Sequence, residues 1–237
     1  MSSEYYRAAI HSAVSLKDHY PEAKITIFTH PEFFNESDRK FFDQVHLDIP
    51  YNIRAKMHCM SRTPYEKTLY VDADTEIRSE KIKDVFDILK DNDIMFTRII
   101  PHVSNTRRVD DNNDLEYHGG IILYNKKPLT ISLIKDWYDL YQYQMDTSWA
   151  SSKFKQYDKR MQPWDQFTIW YLLHNDKKYS KIKHDFFPNG GVEYNFISLL
   201  ELKSMEKNIA YANIEQIIYH YTLPREKVNA GRIKNKP

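Results

Sequence analysis

Lys67-Thr-Leu-Tyr-Val-Asp-Ala-Asp-Thr-Glu-Ile77 is the stretch from which the chain is read. Its first half is a short apolar run bounded by turn formers, and it reads as a strand. The strand runs straight into Asp72-Ala73-Asp74, two carboxylates one residue apart at its carboxyl end, the edge where open α/β sheets bind ligands. Carboxylates this close repel unless a cation sits between them, and oxygen ligands of this kind suit Mn²⁺ or Mg²⁺. The competing reading is that both acids only cap the turn into the next element. The chain carries its own control: Asp91-Asn92-Asp93 repeats the pattern between a helix end and a strand start, where acids are ordinary turn formers.

Working outward, Tyr6, Ala9, Ile10, Ala13 and Val14 recur at helical spacing and predict an opening helix. Residues 24–29 and 46–49 read as strands, 53–60 as a helix, and 79–90 as an amphipathic helix with Ser79 as N-cap. A strand is expected over 94–97, a long polar loop over 101–117, and a buried strand over 119–124 entered through Gly119-Gly120. A long helix follows, with Ile134, Trp137, Tyr138 and Tyr141 on one stripe; 146–163 is irregular, and 165–174 resumes a helix. Residues 214–219 read as a last strand, and the basic tail 225–237 as a loose end. Short strands alternating with amphipathic helices predict a single α/β domain over 1–237, a mostly parallel sheet with helices on both faces, and one or two antiparallel strands in the less regular last third.

Composition narrows the function classes. Of 237 residues, 34 are Lys or Arg and 33 Asp or Glu, so no global field selects nucleic acid or an anionic membrane as partner. The one cysteine, Cys59, excludes an internal disulfide and a cysteine-based zinc cluster. No apolar run approaches the roughly 18 residues of a membrane span. The opening MSSEYYRAAIHS lacks the basic and apolar regions of a secretory leader. The expectation is a soluble cytoplasmic protein.

The stretch 67–77 resembles the central motif of GT-A-fold glycosyltransferases, the nucleotide-diphospho-sugar transferases, and most closely the glycogenin and lipopolysaccharide galactosyltransferase type (family 8-like). Three further segments line up in the same order. Residues 5–17 (YYRAAIHSAVSLK) resemble the family's first helix, His118-Gly-Gly-Ile-Ile-Leu-Tyr-Asn125 the strand flanking the donor sugar, and Trp164-Asp-Gln166 the Asp-Gln pair that opens the next helix. The resemblance implies a Rossmann-like GT-A fold over most of the chain. The family's first strand precedes that first helix, whereas here the helix begins almost at Met1, so the first strand is expected to be missing.

By resemblance, Asp72 touches the ribose and the metal, Asp74 is the firmer metal ligand, and His220 in Ile217-Ile-Tyr-His-Tyr221 is the third. A lysine shortly after that histidine holds the diphosphate in the family; here Arg225 or Lys227 takes that place, at shifted spacing and without the usual glycine. Lys56, and with it Arg54, stands where the family often has a donor-binding cation. Gly119 and Gly120 fit close approach to a sugar or phosphate. Asp165 is implied to hydrogen-bond the donor sugar, or to act as general base if the enzyme inverts, with Gln166 beside it. His11, His30, His58, His102 and His174 show no ligand spacing and are read as structural.

The resemblance therefore implies a metal-dependent hexosyltransferase, with Mn²⁺ or Mg²⁺ as cofactor, a UDP-sugar as donor, a hydroxyl acceptor and retention of configuration. A sugar-phosphate nucleotidyltransferase would need a Gly-rich loop that five glycines, four of them in the pairs 119–120 and 190–191, do not supply. A metal-dependent phosphoesterase would need more clustered ligands. The remaining rival is a catalytically impaired sugar- or partner-binding module on the same fold.

Overall fold

The computed structural model describes residues 2–50, 54–99, 107–109, 114–162, 164–198 and 214–223. Its chain forms two compact units, Met1–Ala55 with Val71–Val85 and Val192–Pro237, and Lys56–Tyr70 with Phe86–Gly191.

In the first unit the opening periodicity becomes α1, Ser3–His19, with the Ser2 hydroxyl accepting from Tyr5 N–H as N-cap. One side of α1 packs Tyr6, Ala9, Ile10 and Ala13 against Ile27, Phe42 and Val45. These lie on or beside two short parallel strands, β1 (Thr26–Phe28) and β2 (Gln44–His46). The second strand is thus two residues earlier than its sequence suggested. Between them Glu36–Phe41 is a 3₁₀-helix capped by the Asn35 side chain.

After β3 (Lys67–Val71) and the two acids comes β4 (Thr75–Ile77). The small Ser12 and Ser15 of α1 bring the helix close to β4: Ser12 Oγ meets Thr75 Oγ1 at 2.9 Å, and Ser15 Oγ accepts from Ile77 N–H at 3.0 Å. Residues Glu80–Asp87 form a 3₁₀-helix in place of the expected α-helix; its buried Ile82 and Val85 are three apart, the spacing that aligns side chains at three residues per turn.

In the second unit β5 (Ile94–Arg98), a short ladder of β6 (Arg107–Arg108) with β7 (Asp114–Leu115), and β8 (Tyr117–Asn125) precede a pair of longer helices. Here α2 denotes Pro128–Asp146, and α3 is Asp165–Asn175; the earlier Ala55–Met60 is a helix of under two turns. Strand β9 (His184–Phe186) completes a sheet of order β3-β8-β5-β9, in which β5 is antiparallel to β8 and parallel to β9. The first unit's remaining strands, β10 (Phe196–Ile197) and β11 (Ile218–His220), pair with β4 in the order β10-β11-β4, β11 being parallel to β10 and antiparallel to β4.

The α/β class is as expected, but the sheets are mixed, with antiparallel ladders beside parallel ones. A buried antiparallel pair carries the same continuous apolar pattern as a parallel one when helices cover it, so β8 reads identically either way. The core of the second unit packs Phe96, Ile122 and Tyr124 of the sheet against Leu133, Ile134 and Trp137 of α2 and Phe167 and Trp170 of α3. The expected loop over 101–117 contains the β6–β7 ladder, and its last residue already belongs to β8. Of the predicted last strand, only Ile218–Tyr219 are in β11, which continues to His220.

Candidate metal centre and donor site

The sequence brings Asp72 and Asp74 to the link between β3 and β4, and the fold brings His220 to them. His220 pairs with Thr75 across the antiparallel β11–β4 ladder, one residue from Asp74. A ligand atom from each of Asp72, Asp74 and His220 lies within 4.8 Å of the others. His220 Nε2 is 3.3 Å from Asp74 Oδ1 and 4.0 Å from Asp72 Oδ2.

The supports of this cluster are on the backbone. Thr75 Oγ1 donates to the Asp72 carbonyl at 2.9 Å, which leaves its oxygen to accept from Ser12. Past His220 the chain turns sharply at Thr222, which sits at φ 51°. The turn lets Tyr221 N–H reach the Asp74 carbonyl and Leu223 N–H reach Asp74 Oδ2, each at 2.9 Å. One oxygen of Asp74 is therefore tied down and the other faces His220. Burial by itself raises the Asp74 pKa; whenever His220 Nε2 carries a proton, its hydrogen bond and charge, together with Leu223 N–H, outweigh that and hold the carboxyl below its ordinary value. On the other side of the imidazole, Asn195 Oδ1 lies 2.9 Å from His220 Nδ1, and Asn195 is fully buried.

Two carboxylates and an imidazole nitrogen converging on one point need a positive charge there, either a proton or a metal ion. Carboxylate oxygens with imidazole form a donor set that suits Mn²⁺, so the residues fit the group. Beside them opens a cleft of about 270 Å³, lined by Glu4, Arg7, Ala8 and His11 of α1 with Asp74 and Tyr221. His11, read from sequence as structural, lies in this wall, with Nε2 3.7 Å from Glu76 Oε1. The Tyr221 hydroxyl donates to Glu76 Oε2 and so is fixed at the rim.

The second DxD copy behaves as the control. Asp93 is buried and spent on structure: Oδ1 accepts from Lys127 Nζ at 2.7 Å and from Asn125 Nδ2 at 3.2 Å, and Oδ2 from Lys183 N–H at 3.0 Å.

In the second unit a separate polar cluster gathers Lys56, Gly119 and Asp165. Lys56 Nζ donates to the Gly119 carbonyl at 2.6 Å and lies 3.4 Å from Asp165 Oδ2, an ion pair whose side chains are 12% and 1% exposed. A Cβ at Gly119 would come to 3.0 Å from that ammonium and 3.4 Å from the carboxylate, so glycine is what lets the strand approach them. Opposite Phe96 and Thr97 the ladder shifts register between Ile122 and His118, which frees Gly119 and Gly120 from regular pairing. Gly120 N–H donates to His118 Nδ1 at 3.1 Å. The backbone of Asp165 is pinned by Trp137 Nε1 and Thr168 Oγ1, both donating to its carbonyl at 2.8 Å. Trp164 serves as N-cap residue of α3 without a side-chain cap bond, and Asp165 occupies the first turn. Gln166 Oε1 is buried and has no hydrogen-bond partner among the described residues.

Arg54 sits in the turn before the short helix Ala55–Met60 and belongs to the first unit. Arg225 and Lys227, with the tail 225–237, lie outside the described residues. Sequence reasoning missed Asn195, Thr222, Arg7 and Gln166's orphaned oxygen; only Asn195, next to the aromatic start of β10, has a signal of its own, as a polar residue entering a buried strand.

No protein-family model and no curated protein matches the chain. Solved structures do. The glycosyltransferase GlyE of Streptococcus pneumoniae TIGR4 superposes with a TM-score of 0.58 at 17% identity, over 94% of this chain and 53% of that one. This chain thus spans about half the length of that protein. An active-site glutamine-to-glutamate variant of LgtC superposes at 0.56 and 17% identity, over 94% of this chain and 86% of that one. Galactosyltransferase LgtC in complex with donor and acceptor sugar analogs gives 0.54, with the same identity and coverage. At these identities the likeness speaks for the fold, and on it the protein has the GT-A glycosyltransferase fold.

Proposed function

We propose that the protein is a metal-dependent glycosyltransferase that moves a hexose from a nucleoside diphosphate sugar, with UDP as the nucleotide, to an acceptor hydroxyl with retention of configuration. The observation that carries this reading is the convergence of Asp72, Asp74 and His220 next to a strand end, in a chain whose fold is that of glycosyltransferases. The resemblance of 67–77 and 118–125 to the family motifs supports it, as does the likeness to a galactosyltransferase holding sugar analogs.

Asp72, Asp74 and the Nε2 of His220 would hold Mn²⁺ or Mg²⁺. When bound, the cation supplies charge to offset that developing on a departing diphosphate. Asp74 would offer Oδ1, since Leu223 N–H already donates to Oδ2. Asp72, more open to solvent, would meet the ribose as well. In the second unit, Lys56 neutralises and orients the Asp165 carboxylate beside Gly119, and by resemblance these residues, with Gly120, would bind the donor sugar. Gln166 Oε1, a buried acceptor with no donor among the described residues, would take a sugar hydroxyl, and leaving such an atom unsatisfied costs about 1–3 kcal/mol. Arg225 and Lys227 keep the diphosphate role that the resemblance gives them, and Arg54 a secondary one. No helix among the described residues is long and apolar enough to cross a membrane, and the lone buried Cys59 suits a reducing, cytoplasmic setting.

The test is thermal unfolding with UDP, with Mn²⁺ and with both, on wild type and Asp74→Ala. A ligand that binds only the folded state at 100 times its Kd stabilises by about 2.7 kcal/mol. UDP stabilising only with Mn²⁺, and not at all in Asp74→Ala, is the expected result; a panel of UDP-sugars then names the donor. No response from wild type to any nucleotide with Mn²⁺ would refute the reading.

A further inference from the structure

Asn195 immediately precedes β10, and β10 runs parallel to β11 with Ile197 opposite His220. The side chain of Asn195 reaches back along this ladder to His220, and both residues are buried, at 1% and 6% exposure. An amide oxygen can only accept, so with the Asn195 amide turned as it is, its Oδ1 2.9 Å from His220 Nδ1 favours a proton on Nδ1. A neutral imidazole carries one proton. Nε2 is then left with its lone pair, aimed at Asp74 Oδ1 at 3.3 Å and Asp72 Oδ2 at 4.0 Å.

That arrangement is costly without a cation. In a neutral imidazole of the other tautomer, Nε2–H would donate to Asp74 and the three groups would satisfy one another with nothing bound. Asn195 selects against this self-satisfied state. Its cost is recovered when a divalent cation enters and takes the imidazole nitrogen and both carboxylates as ligands. Metal-bound histidines commonly have the far nitrogen held in this way, which sets tautomer and ring orientation.

We propose that Asn195 is a positioning residue that holds His220 in the Nδ1–H tautomer and keeps Nε2 available to a divalent cation; this rests on the metal reading given under Proposed function. In this role Asn195 acts through His220 and is not itself a ligand.

Two measurements on the full chain test it. The first is the ¹⁵N pattern of the His220 ring in metal-free protein, at a pH high enough to leave the imidazole neutral and assigned by comparison with His220→Gln. The expected result is a pyrrole-type Nδ1 and a pyridine-type Nε2. A pyridine-type Nδ1 overturns the proposal. The second is Mn²⁺ affinity, by calorimetry or by the electron paramagnetic resonance of free Mn²⁺. Asn195→Leu should bind Mn²⁺ about ten- to a hundredfold more weakly, the usual cost of losing such a partner. Asn195→Asp, which keeps an acceptor facing Nδ1, should retain affinity within a few-fold and the wild-type ring pattern. Folded Asn195→Leu with unchanged Mn²⁺ affinity overturns the proposal. If Asn195→Leu does not fold, the wild-type ring pattern and the Asn195→Asp variant still decide it, since loss of Mn²⁺ binding in folded Asn195→Asp also counts against. Wild-type protein with the expected ring pattern and no Mn²⁺ uptake overturns the metal reading itself, so the two failures are distinguishable.

Discussion

Replacing Lys56 with methionine removes the ammonium from a carboxylate that has almost no access to water. Lys56 Nζ and Asp165 Oδ2 are 3.4 Å apart, with only 12% and 1% of the two side chains exposed. At an effective dielectric of about 20 their direct attraction is about 5 kcal/mol, a gross figure from which the desolvation of both charges must be subtracted. Breaking a buried pair by removing one partner typically costs about 3–5 kcal/mol, because the survivor stays charged and buried. The same change takes away the donor of the 2.6 Å bond to the Gly119 carbonyl, so the upper part of that range is expected. With a urea slope of roughly 2–3 kcal/mol/M, the midpoint of unfolding at pH 7 should fall by about 1–2 M. Lys56→Met/Asp165→Asn should recover much of the loss, because the buried carboxylate that lost its ammonium is gone. A midpoint change below about 0.3 M, or a double variant no better than Lys56→Met, would show that the pair is solvated in solution and would refute the reasoning.

Four other outcomes follow from the same structure. The two DxD copies should separate cleanly. Asp93→Ala should cost about 2–3 kcal/mol by freeing Lys127 and the Lys183 N–H, yet leave the UDP/Mn²⁺ thermal shift intact, the reverse of Asp74→Ala; equal loss of that shift in both would contradict the assignment. Thr222 is a β-branched residue at φ 51°, so Thr222→Gly should raise stability by roughly 1 kcal/mol, strain relief exceeding the entropy cost of glycine, as read from calorimetry; Thr222→Pro, which cannot adopt that angle, should abolish Mn²⁺ binding. Gly191 sits at φ 77° with Thr97 Cγ2 only 2.6 Å from where a Cβ would be, so Gly191→Ala should lose about 2 kcal/mol or more in urea melts. Burial, and then the charge of His174, lower the pKa of His184, whose ring also meets the buried Tyr117 hydroxyl. The unfolded chain therefore binds that proton first as pH falls below about 6.5, and stability should drop from there until the folded-state value is passed. Removing the imidazole in His184→Gln should flatten the profile, and an unchanged profile would speak against it.

How much was legible beforehand differs by element. The helices over 3–19 and 165–175 announce themselves because their apolar spacing and ends are local properties. The long helix 128–146 does so too, with Pro128 at its first position. The 3₁₀-helix over 80–87 misled because its buried residues fit three per turn as well as 3.6. Strand direction was beyond reach for a similar reason. Burial on both faces erases the alternation that would mark an antiparallel pair, and β8 is buried along nearly its whole length.

At the candidate site, the chemistry of each group was legible and its company was not. Read alone, Asp72-Ala-Asp74 and Asp91-Asn-Asp93 are the same three-residue pattern, and strand context was the only clue favouring the first. Resemblance to a family supplied His220. Asn195 carries only the faint mark of a polar residue entering a buried strand, and nothing local marks Thr222 or the orphaned oxygen of Gln166, because an amide's acceptor role, a backbone angle and an unsatisfied atom exist only once other segments close around them. The sequence by itself determined which side chains can carry charge, where helices start, and that the chain can bury an α/β core. Tertiary structure alone decided that Asp93 meets a lysine and becomes structural, while Asp74 meets the imidazole of His220. Electrostatic interaction falls off with distance and depends on burial, so two identical motifs acquire opposite roles from partners that lie far away along the chain.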